Sequence, residues 1–430
     1  MTPFDIAIQI LKPVWRAFWS WGWIIGPIAF GPVLWNSWVY YIRIRTLKKF
    51  KWQLLELKMP PDVEKTPLAM EQVFAVLHSS YYKGGWWKRN IEGRVQEWFS
   101  FEIVSFGGQL HFYIRTVDSF RNMVEAAVYS QYPQAELTEA EDYVYNVPIT
   151  VPNETHNLFG TEYFLAKEDA YPIRTYEDFE FGTEEGKGNV DPLAALTEAM
   201  SKMREGEQFW FQIGIRPADD GWKKVGDDLV NKLLGKAKPS QSGSYVWALL
   251  KKEIMDIFSG AAQILHKTPE YDEFKFDSAK DPNKPHSLMQ YLSPLEKEVV
   301  EAIERNISKV GFETVIRTVY VAQKEVFNIP QFFAVVAALR QFNTMNMNSF
   351  KWDFTTLTAA KFPFKKRKEI FKKKWLLYKY RFRYRPAKMF VLNIEELATI
   401  FHIPGRIVAS PTMPRIQAKK GEPPPGLPTY

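Results

Sequence analysis

Between Ala17 and Ile42 the chain reads AFWSWGWIIGPIAFGPVLWNSWVYYI, with no charged side chain in 26 residues. No other feature restricts the fold as much. A helix rising about 1.5 Å per residue would carry this stretch about 39 Å, against a hydrocarbon core of about 30 Å. Trp15, Trp19, Trp21 and Trp23 cluster at one end and Trp35, Trp38, Tyr40 and Tyr41 at the other, where amphipathic rings settle at the two lipid–water boundaries. Trp38-Val-Tyr-Tyr-Ile-Arg43 offers no small-residue cleavage site, so the segment reads as a retained anchor and not as a signal peptide. Arg43, Arg45, Lys48, Lys49 and Lys51 follow it, against Lys12 and Arg16 before it, which places the long C-terminal part in the cytoplasm. The expectation is an interfacial segment over 1–16 and one transmembrane helix over 17–42. Its anchoring residues are Trp19, Trp23, Trp35, Trp38, Tyr41, Arg43 and Arg45. Pro27 and Pro32 would kink this helix, and Gly22 with Gly26 forms a GxxxG step through which two copies could pair as a homo-oligomer.

Beyond the anchor, the periodicity predicts an α+β protein. Trp52–Lys58 reads as a strand and Pro67–Ser79 as a helix. Trp98–Ser105 and Leu110–Arg115 form a hairpin around Phe106-Gly-Gly-Gln109. A helix from Asp118 to Tyr132 and a strand near Ala135–Tyr145 complete the order β-α-β-β-α-β, the ferredoxin-like arrangement. The order recurs in a strand from Thr161, a helix over Asp191–Met203, a strand over Gln208–Arg216, a strand over Gly311–Val321 and a helix over Ile329–Phe342. Ile-Arg recurs near the end of three of these strands, at Ile114-Arg115, Ile215-Arg216 and Ile316-Arg317. Two ferredoxin-like domains are therefore expected, 52–148 and 158–393. The second contains a helical insertion over 217–293, and a C-terminal helix and Pro-rich tail follow over 394–430.

Catalytic chemistry has little to rest on. The chain has no cysteine, which excludes a disulfide framework, a thiolate metal site and a cysteine nucleophile. The six histidines are scattered without metal-ligand spacing, and no Gly-x-Ser-x-Gly elbow occurs. Gly182-Thr-Glu-Glu-Gly-Lys-Gly-Asn189 resembles a phosphate loop but is one residue short before its Gly-Lys pair. It also has Gly188 where a Mg²⁺-binding hydroxyl must stand. No enzyme activity, cofactor or metal is expected.

The most unusual composition lies in Lys361–Lys388, where thirteen Lys or Arg and one Glu give a net charge of +12, against +7 for the whole chain. The basicity is local, since the remainder carries −5. Within Tyr378-Lys-Tyr-Arg-Phe-Arg-Tyr-Arg385 rings and cations alternate, so an extended chain would separate them onto two faces, while the preceding Lys365–Lys374 reads as helix. Two ligands fit such an arm. Nucleic acid would take the cations on phosphates and the rings on bases, and an anionic membrane surface would attract the same cations. The candidate contact residues are Lys365, Lys366, Arg367, Lys372, Lys373, Lys374, Tyr378, Tyr380, Arg381, Phe382, Arg383 and Arg385.

Several stretches carry a family resemblance: Trp98–Thr116, Phe120–Glu136, Asp191-Pro-Leu, Gly206-Glu-Gln, Phe342-Asn-Thr-Met-Asn346, Val391–Pro404 and Lys419–Pro428. They resemble the membrane-proximal N-terminal region of conjugation-type motor ATPases of bacterial type IV secretion systems, most closely the forms in candidate-phylum bacteria. The similarity covers most of the chain after about Leu54. In that family a P-loop motor follows, whereas this sequence reaches Tyr430 without a Walker A motif, so the ATPase activity is not carried over. The resemblance implies a single-pass protein of the bacterial inner membrane, with its C-terminal part cytoplasmic. It would serve as a scaffold or adaptor in a secretion or DNA-transfer apparatus, docking a separate motor ATPase or channel protein. The alternative is a membrane-tethered protein that guides DNA along the basic arm.

Overall fold

The computed structural model describes residues 30–60, 65–180, 191–234, 292–386 and 389–404. In chain order the elements are α1 (30–47), β1 (Trp52–Lys58), α2 (Pro67–His78), α3 (Trp86–Asn90), β2 (Phe99–Phe106), β3 (Gln109–Val117), α4 (Arg121–Gln131), β4 (Glu136–Ala140), β5 (His156–Leu165), α5 (Tyr176–Glu180) and α6 (Ala194–Ser201). There follow β6 (Glu207–Pro217), α7 (Gly221–Leu233), α8 (Pro294–Ser308), β7 (Gly311–Gln323), α9 (Ile329–Ala337), β8 (Phe350–Trp352), α10 (Lys365–Arg381), β9 (Phe390–Asn393) and α11 (Ile394–Ile400). Two compact units result, one from the chain up to Lys51 with Tyr82–Glu97, the other from Trp52–Tyr81 with Trp98 onward.

In the smaller unit the membrane expectation is overturned. Among the described residues no helix is long and apolar enough to cross a membrane. This corrects the transmembrane helix and the single-pass inner-membrane placement. Of the uncharged stretch, residues 30–42 are described and lie in α1, about 20 Å of helix at about 1.5 Å per residue, against a bilayer core of about 30 Å. Trp19 and Trp23 lie outside the described residues. Trp35 stacks on Trp86 at 5.7 Å and 7°, and Trp38 meets Tyr41 at 6.3 Å. Val39 and Ile42 are buried, and Gly93 (φ 69°) comes so close that a Cβ there would stand 2.8 Å from the Ile42 carbonyl oxygen. This part of α1 packs on protein. Arg43 and Arg45 are exposed on the following turn.

The larger unit is built on one antiparallel sheet of nine strands in the order β4-β1-β3-β2-β6-β7-β5-β8, with β9 added on β7. This order corrects the expectation of two ferredoxin-like repeats. β2 and β6 pair over eight residues, from Phe99↔Ile215 to Phe106↔Gln208, so the two predicted halves are a single continuous sheet. β9 then adds a pairing, Gly311↔Asn393 to Thr314↔Phe390, beside the stretch of β7 that β5 leaves uncovered. The hairpin between β2 and β3 forms as its sequence implies, because Gly107 (φ 56°) and Gly108 (φ 90°) supply the left-handed backbone of its turn. Of the helical insertion expected over 217–293, α7 is the described part, whereas most of the insertion and the phosphate-like loop lie outside the described residues.

Alternation sorts the strands into two faces. Phe99, Phe101 and Ile103 of β2, Phe209, Phe211 and Ile213 of β6 and Phe312 and Ile316 of β7 join the main core beneath α2, α4, α6, α9 and α11. The opposite face carries Val104, Trp210, Val319 and Val321 together with Leu376, Leu377 and Tyr380 of α10. Gly160 of β5 permits the close approach of α10, since a Cβ there would lie 2.4 Å from the Thr318 carbonyl oxygen and 2.8 Å from Leu376 Cδ2. Gly160→Val should therefore lower stability in urea unfolding by about 1–3 kcal/mol through overpacking.

Candidate functional site

On the face that meets α10, a row of polar side chains runs straight across the sheet. Its registers are Glu56↔Tyr113, Glu102↔Tyr113, Glu102↔Gln212, Gln212↔Arg317 and Glu162↔Arg317. Period-two alternation alone would turn these groups outward to water. Instead Glu102, Gln212, Arg317 and Glu162 are all buried, because α10 and the turn after it lie on top of them.

The helix is matched to that row. Arg383 donates from Nε and Nη2 to the two oxygens of Glu102 at 2.9 and 3.0 Å. Its Nη1 and Nη2 also reach Asp142 at 2.6 and 3.0 Å. The Ser100 and Tyr143 hydroxyls donate to Glu102 at 2.7 Å each, and Gln212 Nε2 donates at 3.0 Å. Gln212 Oε1 in turn accepts from Arg317 Nη1 at 3.0 Å. Arg317 Nε donates to Glu162 at 2.6 Å, and Lys379 of α10 donates to the other Glu162 oxygen. Burial pushes both carboxyl groups up, yet the charge of Arg383 on Glu102, and of Arg317 and Lys379 on Glu162, outweighs it. Glu102 is held down at about 2, and Glu162 also lies below its ordinary value.

How α10 ends explains why Arg383 can reach in. Arg383 has a left-handed backbone (φ 46°). Its N–H bonds the Tyr380 carbonyl at 3.0 Å, and the Tyr384 N–H bonds that of Lys379 at 2.8 Å, the paired closure of a Schellman turn. Glycine usually occupies this position, because a side chain here costs about 1–3 kcal/mol. The ion pair with Glu102 offsets the strain.

The predicted contact residues thus divide in two. Tyr380, Arg381 and Arg383 are buried. Tyr380 shares a 2.7 Å hydroxyl hydrogen bond with Tyr143, and Arg381 donates to the Val144 and Val147 carbonyls. Lys372 Nζ donates to the Phe354, Leu357 and Ala359 carbonyls, and Lys373 Nζ to Asn157. Arg385 stacks on Trp98. Lys365, Lys366, Arg367, Lys374, Tyr378 and Phe382 face solvent. The alternating stretch from Tyr378 is therefore helical to Arg381, and this corrects the extended reading. Rings and cations separate along the helix instead. Phe371, Trp375, Tyr378 and Phe382 are exposed at i, i+4, i+7 and i+11, one stripe about 16 Å long at about 1.5 Å per residue. Trp375 and Tyr378 stack at 5.3 Å and 7°, and Tyr378 meets Phe382 at 4.6 Å.

Sequence reading missed Glu102, Gln212, Arg317 and Glu162 as partners of the arm. The available signal was a polar residue on the same parity in each central strand, in a chain whose excess positive charge sits in one segment. It also treated the histidines as isolated, whereas His111 meets Glu56 at 2.6 Å and His402 meets Asp191 at 2.9 Å. Among the described residues no group of three His, Asp or Glu could hold a metal ion.

Arg383→Met should destabilise the protein by about 3–5 kcal/mol in denaturant unfolding, because it strands a buried carboxylate. The double variant with Glu102→Leu should lose clearly less than the sum of the two single changes. Since the folded state depresses the Glu102 value from 4.5 to about 2, its contribution is fully present above the unfolded value. About 3 kcal/mol should be lost as pH falls from there toward about 2, a slope that the double variant removes.

No curated protein matches the sequence. A family model described as Domain of unknown function (DUF8128) matches residues 44–414, which span α10, the polar row and all the described residues of the larger unit. The chain belongs to that family.

Proposed function

We propose that this protein is a binding scaffold whose exposed α10 stripe takes single-stranded nucleic acid, within a DNA-transfer apparatus of the kind its sequence resembles. The observation that carries this reading is the exposed aromatic face of α10. α10 buries Leu376, Leu377 and Tyr380 with Lys379, and leaves Phe371, Trp375, Tyr378 and Phe382 in water beside Arg367, Lys368 and Lys374. Exposed apolar rings are unfavourable unless a ligand covers them. Rings can stack on bases of any sequence while flanking cations meet the backbone, which is how sequence-tolerant single-strand binding works. A motor ATPase or channel component is the partner that the resemblance implies for such a scaffold.

Fluorescence anisotropy of the full chain with labelled oligodeoxythymidine tests this. Trp375→Ala and Tyr378→Ala should each weaken binding by about 1–3 kcal/mol. Each of Lys365, Lys366, Arg367, Lys368 and Lys374 that meets a phosphate should add about 0.7 to the slope of log affinity against log salt, and lose that share when changed to Gln. Tyr380 and Arg383 are unsuitable probes, because their replacement disrupts the buried network. Absence of binding at low salt, or a slope that the Gln changes leave untouched, would sink the reading.

A further inference from the structure

A second group of cations stands on the same sheet face, beyond the end of α10. Trp52, at the start of β1, and Trp98, just before β2, bring their rings to 4.3 Å. Arg115 of β3 lays its guanidinium over Trp52 at 4.2 Å, and Arg385 lays its own over Trp98 at 3.9 Å. Nη1 of Arg115, Nη1 of Arg385 and Nε1 of Trp98 are all buried without an acceptor among the described residues. Arg115 and Arg385 are each half-buried as residues, while the three orphaned nitrogens themselves are covered. The acids nearest Arg115, Glu102 and Asp142, are both held by Arg383, and Glu313 is held by Arg216. Burial, with Arg216 nearby, pushes Arg385 down to about 9, and burial, with Arg383 nearby, pushes Arg115 down to about 10. Buried guanidinium nitrogens left without an acceptor or a counter-charge are costly, and a bound anion would relieve both costs at once.

We propose that Arg385 and Trp98 form an oxyanion site that binds a phosphate group. The orphaned atoms of this group, on Arg115, Arg385 and Trp98, are all donors and none is an acceptor, which speaks against a cation and for a ligand that accepts. The planar fork of Arg385 suits phosphate geometry, and indole N–H can only donate. Two sources supply such a group, free phosphate and the terminal phosphate of a nucleic-acid strand. The second is sterically natural, because Arg385 follows Phe382 and Tyr384 at the end of the aromatic stripe.

The test uses the full chain, titrated with inorganic phosphate at constant ionic strength made up with chloride, and reads the thermal midpoint. Phosphate should raise the midpoint above the chloride control. Arg385→Gln should abolish that rise while leaving the phosphate-free midpoint equal or higher, since Gln carries no uncompensated charge. Arg385→Lys should retain only part of the response. The double variant of Trp375→Ala and Tyr378→Ala should respond to phosphate as the parent does, which separates this site from the stripe. A 5′-phosphorylated oligodeoxythymidine binding at least tenfold tighter than its unphosphorylated form, with the gain lost in Arg385→Gln, assigns the strand end. Equal binding of the two oligonucleotides with the phosphate response intact assigns free phosphate. No rise over chloride in the parent overturns the proposal. A rise that persists in Arg385→Gln does so too, whether or not that variant is less stable.

Discussion

The contact between Arg383 and Glu102 governs the larger unit. Two opposite charges removed from water are tolerable only when each hydrogen-bonding position is answered, and here nearly all are. Glu102 accepts from Arg383, Ser100, Tyr143 and Gln212, while Arg383 divides its donors between Glu102 and Asp142. Through Gln212 the same network continues to Arg317, Glu162 and Lys379. It ties β2, β6, β7 and β5 to one helix. Polar contacts of this kind are directional, so they fix the position of α10 along the sheet in a way that Leu376 and Leu377 alone would not.

That docking decides what the surface shows. A helix usually buries its rings and exposes its cations, but the face of α10 needed to match a charged row is made of Lys379, Tyr380 and the approach to Arg383. The rings at Phe371, Trp375, Tyr378 and Phe382 are displaced outward. The exposed stripe is thus a consequence of the buried row. The left-handed turn that delivers Arg383 also throws Arg385 onto Trp98, so one short segment both clamps the sheet and supplies the unsatisfied guanidinium beside it.

Local order was legible wherever chemistry within a few residues decides it. The strands over Trp52–Lys58 and Gly311–Val321, the helix from Pro67 and the Gly107-Gly108 hairpin follow from alternation, capping position and glycine's access to positive φ. The basic arm was legible as unusual. Its division into buried and exposed residues was not, because alternating rings and cations read equally well as an extended strand, and only the helical period separates Tyr378 and Phe382 from Tyr380 and Arg383.

The uncharged run at Ala17–Ile42 shows the limit of composition. Length and aromatic ends suggested a spanning helix, but hydropathy does not register that Trp35 has Trp86 to stack on or that Gly93 lets backbone press against Ile42. The amino-acid sequence by itself determined the elements, the concentration of positive charge and the absence of cysteine chemistry, since each depends on neighbours along the chain. Tertiary structure alone decided that β2 and β6 join two halves into one sheet, that Glu102 and Glu162 are buried beneath α10, and that Arg385 meets Trp98. These contacts join residues separated by roughly a hundred positions or more, where local propensity carries no information and only complementary charge and close packing select the partner.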